Sequence, residues 1–241
     1  MNAQTQRLLV PGPVGAIEVA LDRPAHTPRG LAVVAHPHPL FGGTLDNKVA
    51  QTLARAWLQL GFVSVRPNFR GVGQTAGVHD QGKGETDDLL AVLAHMRPEV
   101  AQQAGVTVEA LPMALAGFSF GAAVAARCAQ AMRQRGLPLQ HLTLVGTAVT
   151  RFEVPQVRAD NAAALADTVL VLHGEQDDVV PLQAVLDWAR PQQLPVVVFP
   201  GAGHFFHGLL LPLRDWVCRW HGAQRGPDAA HDGEPSPPAA L

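Results

Sequence analysis

Along the chain, short runs of Val, Leu and Ala alternate with longer segments in which apolar residues recur every three or four positions, the pattern of strands interleaved with amphipathic helices. Two opening runs, 7–10 and 15–21, are separated by Pro11-Gly12-Pro13 and predict an antiparallel pair at a sheet edge. Residues 31–35 are apolar at every position, as a strand covered on both faces requires. Residues 47–60 place Val49, Leu53, Ala56, Trp57 and Leu60 on one face and stop at Gly61, which predicts a helix with a glycine terminator. Further strands are predicted at 62–65, 113–117, 141–145, 168–173 and 194–199, and further helices at 85–95, 120–135, 181–189 and 205–220. This alternation predicts an α/β fold: a mostly parallel sheet of about eight strands, flanked by helices. Right-handed crossovers then gather the strand-to-helix loops on the carboxyl edge of the sheet, where such folds bind ligands.

The chain has 241 residues, 47% hydrophobic and 16% charged, which excludes a disordered protein and suits a single domain spanning 1–221. Residues 222–241 contain a single large aliphatic side chain and are expected to form a disordered tail. A net charge of -2 without a basic stripe excludes nucleic acid as a partner. No apolar run approaches the roughly 18 residues of a membrane span, and the start has no leader pattern, so a cytoplasmic protein without a membrane partner is expected, as monomer or homodimer. Cys128 and Cys218 are too few for a disulfide framework and read as free thiols.

Candidate chemistry begins at Gly117-Phe118-Ser119-Phe120-Gly121, between a predicted strand and a predicted helix, which fits the G-x-S-x-G nucleophile elbow. A serine on so tight a turn adopts a strained backbone, and only glycine-sized residues two places before and after it let strand and helix approach. The hydroxyl would stand at the positive end of a helix dipole, and the N–H of Phe120 would face a developing oxyanion. A structural tight turn is the bland alternative, and the flanking strand and Ala-rich helix favour the catalytic one. Serine needs a histidine base, and the base needs an acid to fix its tautomer. Both follow at later strand ends: Asp177 and Asp178 after 168–173, and His204 after 194–199. Spacing alone does not separate the two aspartates, and Asp178 could instead cap the next helix. His204, closing a glycine-rich loop, is preferred to His207, expected one turn into a helix; His173 reads as a structural strand-end residue.

Three more segments, His36-Pro-His-Pro-Leu-Phe-Gly42-Gly43, Asn68-Phe-Arg70-Gly-Val-Gly73 and Gly203-His-Phe-Phe-His-Gly208, together with the elbow and the order Ser, Asp, His, resemble the α/β-hydrolase superfamily over about residues 31–220. Within it they are similar to small, lidless bacterial serine hydrolases and esterases related to dienelactone hydrolases. The resemblance implies an α/β-hydrolase fold, hydrolysis of small short-acyl esters or thioesters through an acyl-enzyme, a Ser119-His204-Asp177 triad and no cofactor. The superfamily pattern H-G-x-x-D-x-x-V-P falls on His173, Gly174, Asp177, Val180 and Pro181 and so favours Asp177. A second oxyanion N–H should come from the loop after strand 31–35. Pro37 and Pro39 have none, which leaves His38 or Leu40, with position favouring His38. Leu40, Phe41, Phe118 and Phe205 are expected to line the substrate. About 22 residues between Val145 and Thr168 leave no room for a cap domain, which predicts preference for short acyl chains.

Competing readings are weaker. The His36-x-His38 pair could suggest zinc, but no partner motif accompanies it, and no metal is expected. Gly71, Gly73 and Gly77 miss the dinucleotide-binding spacing and lie in a long loop. Arg70 could meet a substrate anion, although pairing with a nearby carboxylate is the simpler reading. A hydrolase-like scaffold without chemistry, or an acyltransferase or lactonase on the same triad, completes the alternatives.

Overall fold

The structure is a computed structural model that describes residues 5–158 and 169–223. Among the described residues eight strands form one sheet: β1 (Gln6–Gly12), β2 (Gly15–Asp22), β3 (Gly30–Ala35), β4 (Phe62–Pro67), β5 (Met113–Phe118), β6 (His141–Val145), β7 (Val169–Gly174) and β8 (Val196–Phe199). They lie in the order β1-β2-β4-β3-β5-β6-β7-β8, antiparallel at β1·β2 and β2·β4 and parallel elsewhere. Five helices are described: α1 (Lys48–Gln59), α2 (Lys83–Ala104), α3 (Phe120–Gln134), α4 (Leu182–Ala189) and α5 (Leu210–Ala223).

The unbroken apolar run of β3 serves two cores. Leu31, Val33 and Ala35 belong to the layer under α2, α3 and α4, and Ala32 and Val34 belong to the layer under α1 and α5. With both faces covered, no position in the strand can be polar without a buried partner. The register pairs Ala35 with Gly117, Phe118 with Val145, and Gly174 with Phe199, so the central strands end at one edge. The residues just past those ends, His36, Ser119, the 175–178 loop and the 200–204 loop, therefore share one face of the molecule.

Most boundaries fall within two residues of expectation, and three of the differences have a physical reason or extend an element. Helix α2 runs nine residues beyond 95 despite Pro98, because Met96, Val100 and Ala101 continue the buried stripe and their packing outweighs the lost N–H. Helix α5 starts at Leu210 rather than 205, since Phe206 and Gly208 have φ of 52° and 75°, which a right-handed helix cannot contain. His207 therefore lies on an exposed turn and not in a helix. Gly222 and Ala223, assigned to the tail, continue α5, and the rest of the expected tail lies outside the described residues. Among the described residues no helix is long and apolar enough to cross a membrane.

Two buried histidines, His36 and His221, and the half-buried His141 make stability sensitive to acid. His221 meets Thr143 Oγ1 at 2.8 Å beneath Trp57 and beside His141, and burial pushes its pKa down to about 3, with His141 adding to the effect. Burial likewise lowers His141 and His36 to about 4. Because these folded values lie below the roughly 6.5 of an unfolded histidine, the unfolded chain binds more protons as pH falls from about 6.5 to 4. Stability should then drop, by up to about 1.4 kcal/mol per pH unit for each fully buried ring, and be flat in these groups above pH 7. Urea unfolding at pH 7.5 and pH 5 checks this; equal stability would contradict it.

Candidate active site

Ser119 joins β5 directly to α3 with φ of 57°, a left-handed conformation outside the helix that follows. Its N–H donates to Val145 O at 2.8 Å, and its carbonyl accepts from Ala122 and Ala123, so both neighbouring elements fix the turn. The glycines on either side are required by contact. A Cβ on Gly117 would collide with the carbonyl of Gly121, and one on Gly121 with the carbonyls of Ala35 and His36. Since these obstacles are backbone, Gly121→Ala should destabilise the protein by about 1–3 kcal/mol, read as a lower urea midpoint at unchanged slope. An unchanged midpoint would mean that α3 does not abut β3 so closely.

The 200–204 loop brings His204 over the serine. Its Nε2 lies 3.0 Å from Ser119 Oγ and its Nδ1 lies 2.7 Å from Asp177 Oδ2. A carboxylate at Nδ1 holds the proton there, which leaves Nε2 free to accept from the hydroxyl. Asp177 Oδ1 accepts the N–H groups of Val179 and Val180 at 2.9 and 2.8 Å, so both oxygens are engaged. Burial alone would raise its pKa. The hydrogen bonds from His204 and the Val180 N–H, with the nearby charges of His204 and His173, outweigh burial and hold it below the usual carboxylate range. His173 Nε2 donates to Val180 O at 2.8 Å, closing the turn that carries Asp177. Asp178 is exposed and caps nothing: α4 starts after Pro181 without a side-chain cap. His204 sits between Phe118 and Phe205, with ring centroids 4.9 and 5.2 Å away.

Two residues carry the candidate oxyanion N–H groups. Phe120 is the first residue of α3, so its N–H has no intrahelical acceptor. His38 follows β3 and opens a short turn, Pro39–Phe41. Its ring packs on Phe120 at 4.9 Å and also touches Phe41, His79 and Phe152. His36 has both ring nitrogens engaged: Nδ1 donates to Pro37 O at 2.6 Å, and Nε2 accepts the Phe69 N–H at 2.9 Å. It anchors the loop instead of offering a ligand atom.

Of the residues expected to line the substrate, Leu40 and Phe41 are 70% and 76% exposed at the rim, and Phe205 is partly exposed beside His204. Phe118 departs from that expectation: it is fully buried and supports the His204 ring from below. Arg70 binds Asp88 through two 2.8 Å contacts and donates to Gly84 O, so it holds the loop before α2 and is not free for a substrate anion. His79, Glu85 and Phe152 were not anticipated. His79 Nδ1 lies 2.8 Å from the Glu85 carboxylate, whose oxygens also accept the N–H groups of Asp80 and Gly82. Glu85 sits three places after Gly82, a capping-box spacing that the glycine at its head concealed.

This sheet order, with a positive-φ serine at its carboxyl edge facing a histidine, defines an α/β serine hydrolase of carboxylesterase-like type. Residues 60–191 match the family of thioesterase domains, more than half of the chain, and the chain belongs to that family. Among solved structures, a Xanthomonas campestris protein described as an α/β serine hydrolase without lid is 35% identical, with a TM-score of 0.78 over 94% of this chain and 99% of its own. A Coxiella burnetii α/β serine hydrolase homologue is 38% identical, with a TM-score of 0.70 over 89% and 96%. An uncharacterized Rickettsia prowazekii (strain Madrid E) protein is 28% identical over 202 residues, 81% of this chain and 79% of its own.

Proposed function

We propose that the protein hydrolyses carboxylic esters or thioesters of small, short-acyl substrates through an acyl-enzyme on Ser119. The observation that carries this reading is the pair of contacts at His204, 3.0 Å to Ser119 Oγ and 2.7 Å to Asp177 Oδ2, on an elbow whose serine has positive φ. In the first half-reaction Ser119 Oγ attacks the carbonyl carbon while its proton passes to His204 Nε2. Asp177 remains anionic and stabilises the imidazolium; the N–H groups of Phe120 and His38 receive the oxyanion. Collapse of the tetrahedral intermediate breaks the bond to the alcohol or thiol, which leaves with the proton from His204. Water then attacks the acyl-enzyme by the same route, releasing the acid and restoring Ser119.

The thioesterase-domain match supports a thiol leaving group alongside an alcohol, and the open rim at Leu40, Phe41 and Phe205 supports a short acyl group. Each methylene beyond the site would lie partly in water and add much less than the roughly 0.8 kcal/mol of a buried CH₂. Matched p-nitrophenyl esters and acyl thioesters of graded length test both points. We expect kcat/KM to peak at about C2 to C6 and then fall or flatten. A steady rise to C12 would overturn the short-acyl assignment, and no turnover of either series would overturn the function.

A further inference from the structure

The loop after β3 carries two histidines with different tasks. His36 is tied to Pro37 O and to the Phe69 N–H and fixes the loop as far as residue 37. Past that point Pro37 and Pro39 have no N–H, so His38 and Leu40 compete for the second oxyanion position. The side chain of His38 decides between them. Its Nδ1 accepts the Leu40 N–H at 3.2 Å, while its carbonyl accepts from Phe41 and Gly43 at 3.2 and 3.0 Å. The N–H of His38 itself has no acceptor among the described residues. Its ring rests 4.9 Å from the ring of Phe120, so the residues carrying the two candidate donors are packed together.

We propose that the His38 side chain is a positioning residue: by accepting the Leu40 N–H it withdraws that group, leaves its own backbone N–H as the second oxyanion donor, and holds it in place. The role resembles an N-cap turned to catalysis, since a side-chain acceptor fixes the turn two residues on. The acceptor requires an unprotonated Nδ1. Burial lowers the pKa of His38, His79 and Arg151 add to that, and Glu85 opposes it.

The inference rests on Ser119 as nucleophile. The test compares His38→Asn, whose Oδ1 can accept the Leu40 N–H, with His38→Phe, which keeps the ring packing but has no acceptor. Kinetics on p-nitrophenyl acetate are read beside inhibition by a short trifluoromethyl ketone, whose serine adduct places an oxyanion in the hole, and beside Tm. His38→Phe should lose about 30-fold or more in kcat with KM within threefold, and inhibitor affinity should weaken by a similar factor. His38→Asn should recover most of that loss. Should His38→Phe fail to fold, His38→Ala against His38→Asn reads the same contrast. Full kcat without the acceptor, or an Asn variant as slow as the Phe variant, would overturn the proposal. Activity surviving Ser119→Ala would instead overturn the reading beneath it.

Discussion

Ser119→Ala should lower turnover of short acyl esters by more than about a thousandfold while leaving Tm within a few degrees of the parent protein. The change removes one hydroxyl at the edge of the sheet and opens no core cavity. Its backbone anchor, the 2.8 Å bond from the residue 119 N–H to Val145 O, is independent of the side chain. What disappears is the hydroxyl that lies 3.0 Å from His204 Nε2, the atom placed to attack a carbonyl. Turnover near that of the parent would remove Ser119 from the mechanism.

The second large effect is expected at the acid. Asp177→Asn should cost between about a hundredfold and ten-thousandfold in kcat. The amide oxygen can go on accepting the Val179 and Val180 N–H groups, so the loop should keep its shape. Its NH₂ then faces His204 Nδ1, which must accept, and the ring proton moves to Nε2, where it blocks transfer from Ser119. Asp178→Asn provides the contrast: that side chain is exposed and caps no helix, so its loss should change the rate by no more than about twofold. Equal losses at the two positions would mean that the acid is misassigned.

Much of this arrangement was legible in the chain because it depends on local chemistry. The elbow is readable because a strand, a serine and two glycines are adjacent, and the loops holding Asp177 and His204 are readable because each follows an apolar run. Proline also speaks locally: without N–H groups at 37 and 39, the oxyanion candidates reduce to two. Position in the loop favours His38 over Leu40, but the direction of the His38 imidazole was not legible, since it packs on Phe120, His79 and Phe152 from distant parts of the chain. Pro98, inside α2, departs from its local signal for a related reason. Its local tendency to end a helix is overcome by a buried stripe, and the value of that stripe depends on strands elsewhere in the sequence. The turn at 205–209 hid the positive φ of Phe206 inside a Phe-Phe pair that reads as helix. Phe118, expected to line the substrate, instead follows the alternation along β5 into the core below His204.

In the proposed reaction Ser119 is a nucleophile only because His204 activates it. Brief exposure to a fluorophosphonate, followed by intact mass and peptide mapping, tests it most directly, because phosphonylation at low reagent concentration requires an activated hydroxyl. A single adduct on the Ser119 peptide, formed within minutes and lost in His204→Ala, is the predicted result. No adduct, an adduct elsewhere, or equal labelling of the His204 variant would contradict it.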